Sequence, residues 1–229
     1  MRIKKAISLL VFTFVLSPCF AQVKWGVQAG LNFSTLIAKD LDGNRVNTSS
    51  VPGIYLGLGI GIPLSERFSI EPSLVYAKRG SKAHETSMFG WGKDFDARVS
   101  YVELPVSLQY NPEIGPGRLL IAAGPYLAYG TGGKWTTSAP VLIGDIMIDN
   151  KGDVNFQNDA SYGEYGTYVY GRPWDYGAHV SLGYALFDRY TLSFTLQQGI
   201  ANLEPQWADY QPESSLRNRS IGLILGYRF

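Results

Sequence analysis

The sequence predicts an all-β chain: an eight-stranded antiparallel up-and-down transmembrane β-barrel with long outer loops and short periplasmic turns. Three observations carry this. Eight runs alternate apolar with small or polar residues, which in a strand gives one greasy face and one polar face. The connections between them alternate strictly between short and long, as they do in up-and-down outer-membrane barrels. After the N-terminal segment no apolar stretch reaches the ~20 residues of a spanning helix, so a membrane-crossing chain of this kind must close its sheet.

The eight runs follow in order. "VKWGVQAGLNF" sets Trp25, Val27, Ala29, Leu31 and Phe33 against Lys24, Gly26, Gln28, Gly30 and Asn32. "IYLGLGIGI" sets Ile54, Leu56, Leu58, Ile60 and Ile62 against Tyr55 and three glycines, and "FSIEPSLVY" sets Phe68, Ile70, Leu74 and Tyr76 against Ser69, Glu71, Ser73 and Val75. In "YVELPVSLQY", Val102, Leu104, Val106, Leu108 and Tyr110 oppose Tyr101, Glu103, Pro105, Ser107 and Gln109. "RLLIAAGPYLAY" is less regular, with Leu119, Ile121, Leu127 and Tyr129 on its greasy side. "WDYGAHVSLGYAL" puts Asp175, Gly177, His179, Ser181 and Gly183 on its polar side, and "YTLSFTLQQGI" puts Thr191, Ser193, Thr195 and Gln197 there. The last run, "SIGLILGYRF", sets Ile221, Leu223, Leu225, Tyr227 and Phe229 against Ser220, Gly222, Ile224, Gly226 and Arg228.

"PLSER", "NPEIGPG" and "FDR" are turn-like, whereas the stretches around 34–52, 80–97, 130–173 and 201–217 are long and polar. An even strand number puts both ends of the barrel chain on the short-turn, periplasmic side. A soluble β-sandwich also alternates. Aromatic strand ends, polar-side glycines and an export signal together favour the barrel.

That signal is expected over residues 1–21. Arg2, Lys4 and Lys5 precede the apolar "AISLLVFTFVL", Pro18 breaks it, and Cys19-Phe20-Ala21 offers small residues for cleavage. Cys19 also raises a lipoprotein reading, which the adjacent Pro18 fits poorly. Cleavage would leave a barrel domain over 22–229 without cysteine, hence without disulfides or cysteine-ligated metal. Losing three of the 20 basic residues and none of the 19 acidic ones leaves a net charge of −2. This is no footprint for nucleic acid. With 26 glycines, 15 tyrosines, 11 phenylalanines and five tryptophans, the composition favours strands over helices.

Aromatic residues at strand ends, such as Trp25, Phe68, Tyr110, Tyr227 and Phe229, suit the membrane–water girdles. The alternating ending with a terminal aromatic resembles the signal that barrel-assembly machinery reads in outer-membrane proteins. Tyr227 and Phe229 are therefore the candidate assembly signal. The expected location is the cell outer membrane, with the lipid bilayer and the assembly machinery as partners.

Four short motifs carry a family resemblance: Tyr101, Glu103, Leu104 and Pro105 in one strand, Gly124 to Tyr126 in the next, Trp174 to Gly177, and Gly226 to Phe229. Together they resemble the PorT-type outer-membrane β-barrel family. The resemblance implies an eight-stranded outer-membrane barrel, and its founding type is tied to a protein-secretion and maturation pathway.

Several residues invite a chemical reading. Glu71, Glu103 and Arg228 share the inward face, and we read them as a structural lumen network. An eight-stranded barrel is just wide enough to be filled by its own side chains, and an unpaired charge there is costly. His84, with Ser81, Ser87, Asp94 and Asp96 nearby, puts Ser, His and Asp in one loop, but a triad is defined by geometry rather than abundance. His179 reads as a satisfied lumen residue. "GLGIGIP" lacks dinucleotide-loop spacing. "KDLDGN" and "DNKGD" are Asx-Gly turns rather than calcium loops.

These residues call for no catalytic group, cofactor or metal. The expected protein is a non-enzymatic integral outer-membrane barrel with a side-chain-filled lumen and loops for surface interaction or envelope integrity. An accessory subunit of a secretion or assembly machine, or a small pore, is the alternative. A protein partner is expected on 130–173. Within it, Val141–Ile148 is predicted to pair with Val154–Gln157 around a turn at Gly152. On that reading residues 141–157 can be deleted without loss of the barrel.

Overall fold

The computed structural model describes residues 23–84, 89–90, 92–143, 145–164 and 166–229, so the expected signal segment 1–21 lies outside the described residues. Eight strands form a closed ring: β1 (Lys24–Lys39), β2 (Val51–Pro63), β3 (Phe68–Ala83), β4 (Phe95–Tyr110), β5 (Gly117–Thr136), β6 (Trp174–Leu186), β7 (Tyr190–Gly199) and β8 (Ser215–Arg228). Each is antiparallel to the next. Strand β8 returns to β1 in unbroken register from Gly26↔Arg228 to Lys39↔Ser215. Closure leaves no open edge in the membrane, where an unpaired backbone group has no water to turn to.

The outward face is the greasy one. Leu31, Leu58, Leu104, Leu182, Leu223 and Leu225 are all exposed, which in a bilayer makes them the lipid-facing belt. The strands run further outward than the greasy alternation does. β3 continues from Tyr76 to Ala83, β4 begins at Phe95 rather than Tyr101, and β5 extends from Tyr129 to Thr136. Much of the expected loop sequence is therefore strand. Above the bilayer the ladder persists while its polarity inverts. Lys82 and Arg98 stand on the outer surface, while Ala83, Phe95, Ala97, Val99, Trp135 and Val154 are buried within. These join Phe89, Tyr168, Tyr170 and Leu203 in one apolar core at the outer end. Phe95 stacks on Trp135 with ring centroids 5.8 Å apart, and Tyr101 meets Phe156 edge-on at 5.2 Å.

Three prolines interrupt the ladders on one side of the ring. Pairing lapses between β2 and β3 beside Pro72, between β3 and β4 at Pro105, and between β4 and β5 at Pro125. Proline has no N–H to donate. Gly124, next to Pro125, lets the backbones close up: a Cβ there would lie 1.9 Å from the Val106 carbonyl oxygen.

The long connection departs from expectation. Val141–Ile143 pairs with Ile146–Ile148, with Asp145 in the turn, as a separate two-stranded hairpin. Lys151–Phe156 does not fold back on it. Its first four residues, Lys151 to Val154, lie antiparallel to Gly133–Thr136 of β5, and it pairs in parallel with Tyr168–Gly171. The reason is the height of β6, which starts at Trp174 opposite Tyr129. Above that level the edge of β5 would be bare, and the 151–156 strand takes it. The removable segment is thus 141–148, where Leu142, Ile146 and Met147 are exposed. Deleting it should leave the gel shift between heated and unheated protein intact. Extending the deletion through 157 should lower the urea midpoint, because it removes buried Val154 and a strand pairing.

Candidate functional site

Height divides the lumen into three zones. At the outer end lies the apolar core. Beneath it sits a buried ionic layer built by inward positions of neighbouring strands. Arg79 of β3 reaches Glu103 of β4 at 2.6 Å (Nη2–Oε1) and Asp175 of β6 at 3.6 Å (Nη1–Oδ2), with all three side chains at most 1% exposed. Neutral donors add to the layer. Asn218 Nδ2 and the Tyr126 hydroxyl donate to Asp175 at 2.9 and 3.1 Å, and Gln197 Nε2 donates to Glu103 at 3.2 Å. The guanidinium also lies 5.4 and 5.6 Å from the ring centres of Tyr101 and Tyr126. Charges this dry survive only when paired and hydrogen-bonded.

Below this layer the lumen opens into a polar cavity of about 220 Å³, lined among others by Gln28, Tyr55, Ser73, Ser107, His179 and Gln197. The expected side-chain-filled lumen therefore holds for its outer part only. Short serine, threonine and glycine positions on the inward face leave the periplasmic part unfilled. Ser107 Oγ lies 2.7 Å from His179 Nε2. At the mouth, Arg228 Nη2 meets Glu71 Oε1 at 2.8 Å, and Gln109 donates to the same oxygen at 2.9 Å.

The three lumen residues singled out from sequence thus separate into two levels. Glu71 and Arg228 pair at the partly exposed mouth, whereas Glu103 pairs with Arg79 and not with Arg228. Arg79 and Asn218 carry inward parity but lie beyond the greasy runs, on strand extensions that alternation did not reveal. Asp175 lay within a run, on its polar side. Continuing the parity of β3 past Tyr76 would have placed Arg79 inside. Tyr227 packs against Tyr190 and Phe229, at 5.4 and 5.1 Å, in the periplasmic girdle.

The loop residues are redistributed as well. Ser81 points inward, fully buried, with its hydroxyl 3.3 Å from that of Thr35. Asp96 engages Arg98, and Ser87 lies outside the described residues. His84 is joined to Asp94 (Nδ1–Oδ1, 3.1 Å) and to a serine from another loop, Ser49 (Nε2–Oγ, 3.2 Å). The hydrogen bond from His84, then the nearby charges of Lys82 and Lys93, hold the Asp94 carboxyl below its ordinary range. In "KDLDGN", Asp40 accepts the backbone N–H groups of Asp42 and Asn44 at 3.0 and 2.8 Å. Among the described residues no group of three or more His, Cys, Asp and Glu is placed to hold a metal.

A family model described as "Outer membrane protein beta-barrel domain" matches residues 20–204. No curated protein matches the chain. Among solved structures, the attachment invasion locus protein Ail of Yersinia pestis, in complex with the heparin analogue sucrose octasulfate, is 12% identical. The match covers 90% of this chain and 99% of that one, with a TM-score of 0.42. The outer membrane protein OprG of Pseudomonas aeruginosa is 11% identical, with 90% and 95% covered and a TM-score of 0.47. Neisserial surface protein A is 12% identical, with 90% and 97% covered and a TM-score of 0.42.

Proposed function

We propose that this chain, which belongs to the outer membrane protein beta-barrel domain family, is a non-conducting scaffold that acts through its outer loops. It is an integral outer-membrane β-barrel. The observation that carries the proposal is the stacking of two seals above the periplasmic cavity. A solute entering from the periplasm meets the Arg79–Glu103–Asp175 layer and then the aromatic core around Phe95 and Trp135. Desolvated charges and close-packed rings leave no continuous aqueous path. Glu71, Glu103 and Asp175 act structurally, since each has a cationic partner. What remains available for work is the outer surface, where Tyr162, Trp207 and Tyr210 are exposed. Amphipathic rings of this kind give contact area at low entropic cost.

On the same reading residues 130–173 contribute to a protein-binding surface. Tyr227 and Phe229 are the residues the barrel-assembly machinery would recognise. The motifs at Tyr101–Pro105, Gly124–Tyr126, Trp174–Gly177 and Gly226–Phe229 support a place among the PorT-type barrels. Single-channel recording tests the main claim. The purified protein should insert into planar bilayers without conductance steps, and stable steps from the wild type would overturn the sealed-lumen reading.

A further inference from the structure

The outer rim contains a hydrogen-bond relay that the scaffold role does not use. Ser49 lies just before β2, His84 just after β3 and Asp94 just before β4. Backbone bonds tie Ser49 to β3 and Asp94 to His84. Ser49 exchanges two with Lys82, at 2.7 and 3.0 Å, and Asp94 N–H donates to the His84 carbonyl at 3.2 Å. The side chains continue the order: hydroxyl to Nε2 at 3.2 Å, then Nδ1 to carboxylate at 3.1 Å. With the proton on Nδ1 donated to Asp94, Nε2 is free to accept from Ser49. That is the arrangement in which a histidine activates a serine. Asp94 adopts a left-handed φ of 55°, the kind of backbone often found at working sites. The His84 and Asp94 side chains are 54% and 36% exposed, so a substrate can reach them.

We propose that Ser49, His84 and Asp94 form a hydrolytic site that cleaves carboxylic esters in the water outside the membrane. Ser49 Oγ attacks the ester carbonyl carbon as its proton passes to His84 Nε2. The C–O bond to the alcohol breaks, and the imidazolium returns the proton to the departing alkoxide. Water then attacks the acyl-serine, again giving a proton to Nε2. The carboxylic acid leaves and the serine hydroxyl is restored, so no oxidant or metal enters the balance. Asp94 holds the tautomer and stabilises the imidazolium. Lys82, across the bridge from Ser49, puts a cation on the same face for the developing oxyanion.

The openness of the site selects the substrate. The exposure of the His84 and Asp94 side chains favours an ester over an amide, whose nitrogen leaves less readily. Height excludes bilayer lipid. Eight residues separate Tyr76, at the outer girdle, from His84, which puts the site roughly 20 Å above it for ~3.3 Å per residue and a tilt near 40°. The function class departs from the non-enzymatic expectation drawn from the sequence, where the serines near His84 were Ser81 and Ser87 and not Ser49 of another loop.

The test is covalent labelling of the full-length, folded protein in detergent with a fluorophosphonate, followed by mapping of the adduct and by p-nitrophenyl acetate turnover. The adduct should fall on Ser49. Labelling should vanish in Ser49→Ala, drop at least about 100-fold in His84→Ala, and be unchanged in Ser50→Ala. If His84→Ala loses its heat-modifiable band, His84→Gln replaces it and should show the same drop. An unlabelled wild type, an adduct elsewhere, or labelling indifferent to His84 would overturn the site. The barrel's gel shift is read in the same samples, so a failed relay is separable from a failed barrel.

Discussion

Replacing Arg79 by alanine should destabilise the barrel by about 3–5 kcal/mol, the range for stranding the partners of a buried ion pair. Two carboxylates, Glu103 and Asp175, would be left without their cation where neither side chain is more than 1% exposed. Glu103→Ala should cost less, because Arg79 keeps Asp175. Glu71→Gln, at the mouth, should cost no more than about 1 kcal/mol, since water already screens that pair. The triple variant Arg79→Met, Glu103→Gln and Asp175→Asn should recover much of the loss, because it removes charge from both sides together. Urea unfolding in lipid vesicles gives the ranking. An Arg79→Ala midpoint equal to that of Glu71→Gln would refute the buried layer.

Gly124→Val should be the most disruptive single change in the membrane-spanning wall, with a cost above about 3 kcal/mol, beyond the usual range for overpacking. The new Cβ would lie 1.9 Å from the Val106 carbonyl oxygen and 3.0 Å from Ser107 Cα. Backbone, unlike a side-chain tip, cannot swing away. The site also adjoins ladders already thinned at Pro105 and Pro125, so no surplus of hydrogen bonds holds the strands while they shift. Gly222→Ala provides the contrast. Its Cβ would meet nothing closer than the Leu31 carbonyl oxygen at 3.6 Å, and its folded yield should match the wild type. The fraction running as the compact, unheated band measures both. Equal yields from the two variants would show that close approach at Gly124 is not what the fold requires.

The sequence by itself determined the strand count, the greasy and polar face of each strand, and the alternation of long and short connections. Lipid outside and side chains inside impose opposite demands on consecutive residues, and that period of two is written locally. Glu71, Glu103 and Arg228 were placed on the inward face for this reason. Only the tertiary structure decided their heights and partners. The stagger of neighbouring strands sets which inward residues share a level, and closure of the ring fixes it. Arg79 lies beyond the greasy run of β3, which ends at Tyr76, where lipid ends and outward residues need no longer be greasy. The backbone ladder does not end there, since it answers to hydrogen bonding rather than to lipid. The same gap misread the 130–173 segment, whose 151–156 strand follows the bare edge of β5 and not its nearest neighbour in sequence. Ser49 stands 35 positions before His84. Only the pairing of strand ends above the membrane brings them to 3.2 Å, because contact between distant residues is a property of the closed ring.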